Sequence, residues 1–373
     1  MFEILDAANR MEETGEDVVR LEIGDTSSDV MPELLAVLQS TPFDSSNLGY
    51  SPSGGEMSLR KELARLHNVH KGSSLSERNV AVLPANAAVT HLLSLLTEPG
   101  DSVLLMDPCF PTYRLAASYL ELEVVDTPLV RDRGYGLDVP AVLSHLQSND
   151  SISVVLIDSP SNPTGVAHAP ADLVELARVC SSRNIALVVD ETYRNLIFEA
   201  HMDFDRVPDS VIWIYSMSKD AGAPGLRIGS VVASEELVKK IADLSSLTFS
   251  CLPKFIQIAA ANYLAQEVVG LEGKKNEYRR RIEVFGRRIA KSTGFQVAPS
   301  NSSMYLWVDI SSAGASADFL AHRLLSEAKV AVCPGEGFGP SGKCHVRLTV
   351  AGSYERVSEG VDRFVSFFHE QTS

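Results

Sequence analysis

SVVLIDSPSNPTGVAHAPADLVELARVCSSRNIALVVDET, residues 153–192, reads as a strand, a turn, a helix and a second strand. Its ends, SVVLIDSP (153–160) and IALVVDET (185–192), are short apolar runs rich in β-branched residues, and PADLVELARVCSSRN (170–184) between them spaces its apolar residues for a helix. A strand followed by a crossover helix and another strand makes two parallel neighbours of one sheet. The alternation continues outward. SVLLMD (102–107), LEVVDTPL (122–129), VIWIYSMS (211–218) and GSVVAS (229–234) are further strand candidates, and PTYRLAASYL (111–120) is a further helix candidate. Repeated βα units of this kind predict an α/β fold whose large domain has three layers, with helices on both faces of a mostly parallel sheet.

Several of these strands end in polar clusters: Asp107, Asp158 to Asn162, Asp190 to Tyr193, and Ser216 to Lys219. Ligands of open α/β sheets bind outside the carboxyl ends of the strands, so these ends are expected to converge on one site. After about residue 265 the pattern changes. A long charged helix, GKKNEYRRRIEVFGRRIAKSTG (273–294), precedes the separated strands SMYLWVDI, KVAVCP and CHVRLTV, which reads as a smaller α+β domain. The expected organisation is residues 1–44 as an N-terminal segment packing with the small domain, 45–268 as the large domain and 269–373 as the small one.

At 373 residues the chain exceeds the size at which a single core usually keeps growing, which agrees with two lobes. A formal charge of -15 disfavours non-specific binding to nucleic acid or to an anionic membrane. A small anionic substrate would therefore need a local concentration of basic residues. Cys109, Cys180, Cys251, Cys333 and Cys344 are scattered without any CxxC pair, so neither a disulfide framework nor a zinc or other metal site is expected. A reducing cytoplasm fits. The N-terminus MFEILDAANRMEETGEDVVR lacks a basic stretch followed by an apolar one, and no run approaches a membrane span, so a soluble, unexported protein is expected. Because the chain begins almost at its first helix, little remains for a lid or a subunit-clasping arm.

The segment from Ser216 to Gly229, SMSKDAGAPGLRIG, carries the most chemistry. It sets Lys219 at a strand end, with Ser218 and Ser216 one and three residues before it and Arg227 eight residues after it in a glycine-rich turn. A lysine amine can form an imine with an aldehyde cofactor. Serines and an arginine beside it suit a phosphate, and the glycines let backbone amides approach. A lone lysine near a glycine-rich loop would be only a surface feature. The spacing to Arg227 makes it a candidate site.

With this segment in place, the chain resembles the fold-type I pyridoxal 5′-phosphate enzymes, specifically the class I/II aminotransferase family. The resemblance rests on GYSPSGGEMSLRKELA (49–64), LPANAAVTHLLSLLTEPGD (83–101), DPCFPTY (107–113), DSPSNPTG (158–165), VVDETYRNLIF (188–198), YSMSKDAGAPGLRIG (215–229) and HVRLTVAG (345–352), in the family's order and over nearly the whole chain. It implies that Lys219 is the Schiff-base lysine and the proton shuttle between the substrate α-carbon and the cofactor C4′. Asp190 would face the pyridine nitrogen and hold it protonated, making the ring an electron sink. Tyr193 and Asn162 resemble the donors to the cofactor 3′-oxygen, and Phe110 occupies the place of the aromatic that stacks on the ring. Phosphate binding falls to Ala85 and Asn86 at a helix start, where unpaired amides favour an anion, and to Ser216, Ser218 and Arg227. Here the chain departs from the pattern, with Pro84 and Ala85 where glycine and a small residue are usual and Asn86 where Thr or Ser is common.

Arg347 resembles the arginine that grips the substrate α-carboxylate with a two-pronged bond. Gly24 in LEIGD (21–25) looks like the loop glycine whose backbone approaches the same group. Tyr50 resembles the tyrosine that reaches the phosphate of a neighbouring subunit, which implies a homodimer with shared active sites.

Two reactions stay open at this point. Transamination, from an amino acid to a 2-oxo acid, is the first reading; elimination, replacement or cyclisation at the β or γ carbon, as in aminocyclopropane-carboxylate-synthase-like or C–S-lyase-like members, is the second, because SMSKDAGAPGLRIG looks more like that synthase than like aspartate aminotransferases. A third possibility, a scaffold without turnover, is opposed by the complete set of Lys219, Asp190, Tyr193, Asn162, Arg227 and Arg347. No second arginine for a distal carboxylate is identifiable, since SSLTFSCLPKFIQ (245–257) offers only Lys254. A dicarboxylate substrate is therefore disfavoured.

Overall fold

The computed structural model describes residues 2–198, 208, 210–266 and 271–370. A two-residue strand β1 (Val19–Arg20) precedes a seven-stranded sheet made of β2 (Val80–Val82), β3 (Ser102–Asp107), β4 (Glu123–Pro128), β5 (Ile152–Asp158), β6 (Ala186–Asp190), β7 (Ile212–Ser216) and β8 (Gly229–Val232). The strand order is β2-β8-β7-β6-β5-β3-β4. Strands β7, β6, β5, β3 and β4 pair in parallel, and β8 alone runs antiparallel, to both β7 and β2.

The sheet is covered on both faces. Leu104 and Met106 of β3 enter one hydrophobic cluster while Val103 and Leu105 enter another on the opposite side. Successive side chains of a strand point to opposite faces, so a sheet buried on both sides needs continuous apolar runs. This accounts for the unbroken character of SVLLMD and SVVLID. The helices Pro111–Tyr119 and Pro170–Ser182 lie where the sequence predicts them. One run is shorter than its reading. VIWIYSMS stops being strand at Ser216, and Met217–Asp220 forms a helical turn capped by the Ser216 hydroxyl, which lifts Lys219 off the sheet edge.

The remaining strands are β9 (Gln296–Val297), β10 (Tyr305–Asp309), β11 (Val330–Ala331), β12 (Cys333–Pro334) and β13 (His345–Thr349). They divide into a four-stranded antiparallel sheet, β12-β13-β10-β9, and a parallel pair of β1 with β11. KVAVCP is thus two strands rather than one. Its first half pairs with the N-terminal segment and its second half with β13. The helices Leu271–Thr293 and Tyr354–Glu370 pack over this region around Tyr278, Phe285 and Phe364.

The N-terminal segment is divided between the two cores, whereas the sequence expectation packs all of residues 1–44 with the small domain. Ile4, Ala8, Val18, Val19 and Leu21 join the cluster of the smaller sheet, but Met31, Leu34 and Val37 join the large one. The cause is the apolar face of helix Pro32–Ser40, which packs against helix Lys254–Leu264. The expected boundary between residues 268 and 269 lies outside the described residues. No helix among the described residues is long and apolar enough to cross a membrane.

Candidate active site

Parallel strands release their carboxyl ends at one edge of the sheet. Asp158 and Asp190 are register partners at the ends of β5 and β6, and Ser216 ends β7 beside them. A cavity of about 330 Å³ opens at this edge and is closed on its far side by residues of the smaller sheet. It is lined by Gly24, Ala85, Asn86, Phe110, Asn162, Asp190, Tyr193, Ser216, Ser218, Lys219, Arg227 and Arg347, which is every expected site residue except Tyr50. Tyr50 stands apart, 92% exposed.

Lys219 reaches across the cavity, and its Nζ donates to the Gly24 carbonyl at 2.7 Å. That close approach requires glycine at residue 24, because a Cβ there would overlap the Tyr305 hydroxyl and come within 2.8 Å of Met304 Cε. Asp190 is buried and holds three donors: the Tyr113 hydroxyl at 2.9 Å, and the Thr192 amide and hydroxyl at 2.9 and 2.6 Å. Burial raises the proton affinity of its carboxyl and these donors oppose the rise. A buried carboxylate supported in this way suits a cationic ring nitrogen. Asp158, also buried and next to Asp190, is pushed up to about 8, so it is largely protonated at neutral pH.

Phosphate has a ready cradle. Helix Ala85–Leu96 begins behind Pro84 without a side-chain cap, leaving its first amides for a ligand. Gly229 allows this approach, since a Cβ there would lie 2.7 Å from the Tyr215 carbonyl and 3.0 Å from the Ala85 nitrogen. Arg227 adopts a left-handed backbone (φ 57°) and donates to the Asn86 side chain at 2.8 Å. The Ser216 and Ser218 hydroxyls are 3.0 Å apart at the same end.

Arg347 sits on β13, 2% exposed, and is fully oriented by the protein. Nη1 donates to Asn162 Oδ1 at 2.8 Å and Nη2 to the Glu22 carbonyl at 2.6 Å, while Nε has no protein partner. A buried guanidinium with an unpartnered nitrogen is costly without an anion, so this end of the cavity suits a carboxylate. Because Asn162 Oδ1 is taken by Arg347, the amide hydrogens of Asn162 are what it offers a ligand. Phe110 precedes helix Pro111–Tyr119, with its ring edge-on to Tyr113 at 5.7 Å. The donor set therefore fits pyridoxal phosphate: an amine for the aldehyde, a carboxylate for the ring nitrogen, two donors for the phenolic oxygen, and an uncapped helix start with an arginine for the phosphate.

Sequence reasoning passed over Tyr113 and Tyr305 and named Asp158 and Thr192 only as members of strand-end clusters; all four line this cavity. Tyr113 had a signal, since three residues after Phe110 it shares the start of the same helix. Tyr305 had none, because a tyrosine within YLWVD looks like any core strand residue.

The sequence model of the family described as aminotransferase class I and II matches residues 16–364. The arginine–pyruvate transaminase of Pseudomonas aeruginosa is 29% identical over 357 residues, covering 94% of this chain and 90% of that protein. An aspartate aminotransferase of Pyrococcus horikoshii is 28% identical over 367 residues, covering 97% and 92%. Among solved structures, the aromatic aminotransferase from Pyrococcus horikoshii superposes with a TM-score of 0.89 at 26% identity, covering 98% of this chain and 99% of that one. These relatives all transfer amino groups, and elimination or cyclisation is not favoured.

Proposed function

Because the chain belongs to the class I and II aminotransferases, and so is a pyridoxal-phosphate-dependent transferase, we propose how its own residues divide the work of moving an amino group from an amino acid to a 2-oxo acid. The observation that carries the assignment is the convergence of Lys219, Asp190 and Arg347 on one cavity. Bound there, pyridoxal phosphate supplies an electron-withdrawing ring that stabilises the carbanion left when a bond at the substrate α-carbon breaks. Lys219 Nζ is the base that takes the α-proton, and its bond to the Gly24 carbonyl holds the amine at the cavity wall. Asp190 would keep the ring nitrogen protonated; Tyr193 and Asn162 would donate to the phenolic oxygen, Phe110 would cover the ring, and Ala85, Asn86, Ser216, Ser218 and Arg227 would hold the phosphate. Arg347 fixes the substrate carboxylate, with Asn162 and the Glu22 carbonyl setting the plane of the guanidinium.

The substrate side chain is proposed to be one without a second carboxylate. The basic residues lining the cavity among the described residues are Lys219, Arg227 and Arg347, and each already has an anionic or carbonyl partner assigned. Lys254 is committed to the Ser46 carbonyl at 2.9 Å. A homodimer is proposed from the face around Tyr50. Phe43 and Leu48, close to it in the chain, are exposed (72% and 61%), as is Leu247 (84%) just before Cys251, whose Sγ accepts from the Ser51 amide, and Phe43 packs edge-on to Phe255 at 5.2 Å. An apolar face of this kind on a soluble protein is a docking surface. The division into a large domain over 45–268 and a small one over 269–373 is supported by hydrophobic clusters centred on each sheet, although Tyr193, Leu196 and Phe198 join the smaller core and Ala298, Trp307, Cys333 and Phe338 the larger. Cytoplasmic placement is supported by five free cysteines.

The test is spectral. The protein loaded with pyridoxal phosphate should show a visible band that Lys219→Ala lacks. An amino donor alone should bleach the band and release one 2-oxo acid per site, without ammonia. Ammonia release, or a band that survives in Lys219→Ala, would refute the assignment.

A further inference from the structure

Tyr305 touches the groups that the preceding reading assigns to cofactor and substrate, and it stands beside the glycine whose carbonyl holds the base. It lies on β10, where Tyr305 pairs with Thr349 and Trp307 with Arg347, so Tyr305 and Arg347 are diagonal neighbours on one face of the small sheet. The Arg347 guanidinium carbon lies 4.3 Å from the centre of the Tyr305 ring. At the other end, the Tyr305 hydroxyl is 3.0 Å from the Tyr193 hydroxyl, which comes from the loop after β6. It also fills the space that a side chain on Gly24 would take, beside the carbonyl that holds Lys219.

We propose that Tyr305 is a positioning residue that couples the phenol-binding end of the cofactor site to the carboxylate-binding arginine. The inference rests on the roles given above to Tyr193, Lys219 and Arg347. A ring at this position would be satisfied by phenylalanine, so the hydroxyl is the informative part. Each tyrosine has one hydrogen to donate. If Tyr193 spends its hydrogen on the cofactor's phenolic oxygen, the donor within the pair is Tyr305. A donor behind a donor strengthens it, because hydrogen bonds in series polarise one another. The ionisable groups that face Tyr193 are Tyr305, Arg347 and Asp190, and burial keeps the Tyr193 phenol protonated.

Electron density drawn from the phenolic oxygen weakens its hold on the proton it shares with the lysine nitrogen. Tyr305 therefore lowers the pH at which that proton leaves. Its ring acts separately. Stacked on Arg347, it keeps the guanidinium plane turned toward the substrate carboxylate while the Glu22 carbonyl and Asn162 hold the nitrogens.

Two variants separate these effects. In Tyr305→Phe the ring stays and the hydroxyl goes, so the spectrophotometric pKa of the lysine-bound cofactor should rise by about half to one unit. The KM for the amino donor should remain within about twofold of the parent's. In Tyr305→Leu the ring is also lost, and KM should rise by about tenfold with the same spectral shift. The proposal is overturned by a Tyr305→Phe protein whose spectral pKa equals the parent's, or whose KM rises as far as that of Tyr305→Leu. If Tyr305→Leu fails to fold, the Tyr305→Phe titration alone decides. A parent protein that never develops the visible band would overturn the assignment of Lys219 beneath the proposal, which is a distinct result from an unshifted titration.

Discussion

Replacing Glu191 with glutamine should destabilise the protein out of proportion to the single oxygen changed. Glu191 follows Asp190 at the end of β6 and is 1% exposed, with Lys71 and Arg194 each 2.7 Å from its carboxylate oxygens and almost as deeply buried. Lys71 also stands 3.6 Å over the Trp213 ring, and Arg194 lies 4.0 Å over Tyr215, whose hydroxyl bonds Asp220 beside Lys219. His67 and His70 face the same cluster, and burial lowers both to about 4, so among the described residues it holds two cations and one anion at neutral pH. Glutamine keeps the shape but leaves the two cations facing each other without their shared counter-charge. Removing one partner of a buried pair costs about 3–5 kcal/mol. With a urea dependence of about 3 kcal/mol per molar, the unfolding midpoint should fall by about 1–1.7 M.

The loss should also depend on pH. Burial would by itself raise the Glu191 carboxyl, but Lys71 and Arg194 outweigh it and hold the group far below its ordinary 4.5. The folded-state value therefore lies below the unfolded one. The stabilisation from this carboxylate is fully present above about pH 4.5 and is lost as the pH falls through the acidic range. Urea titrations of parent and Glu191→Gln at neutral pH and near pH 3 should thus show a gap that narrows on acidification. A midpoint shift under about 0.3 M at neutral pH, or a gap that does not change with pH, would refute the reasoning.

Two further outcomes follow from the cavity and its rim. Gly24→Ala should push the Tyr305 hydroxyl from its place, costing about 1–3 kcal/mol by overpacking, and should lower kcat/KM with the amino donor; unaltered kinetics and melting temperature would contradict the contact. Sedimentation should give a dimer, and mixing inactive Lys219→Ala with a weakened Tyr50→Ala protein should restore activity above that of either alone. A monomer with full activity would remove Tyr50 from the site.

The chemistry of the large sheet was legible in the sequence because it is local. Lys219, Asp190 and Asn162 stand at fixed distances from apolar runs that can only be strands buried on both faces, and parallel strands must deliver their carboxyl ends together. Arg347 was legible for a related reason, since an arginine inside HVRLTV is too costly to bury without a task. What lay beyond the sequence depends on contacts between segments far apart in the chain. Tyr193 and Tyr305 meet across 112 residues, and the Gly24 carbonyl meets Lys219 across 195. No local pattern distinguishes a tyrosine that fills a core from one that orients an arginine, or a buried glutamate that clamps a strand end from one on the surface. Those roles were decided only when the smaller sheet closed over the edge of the larger one, because burial and the partners it forces on a polar group are properties of the packed chain.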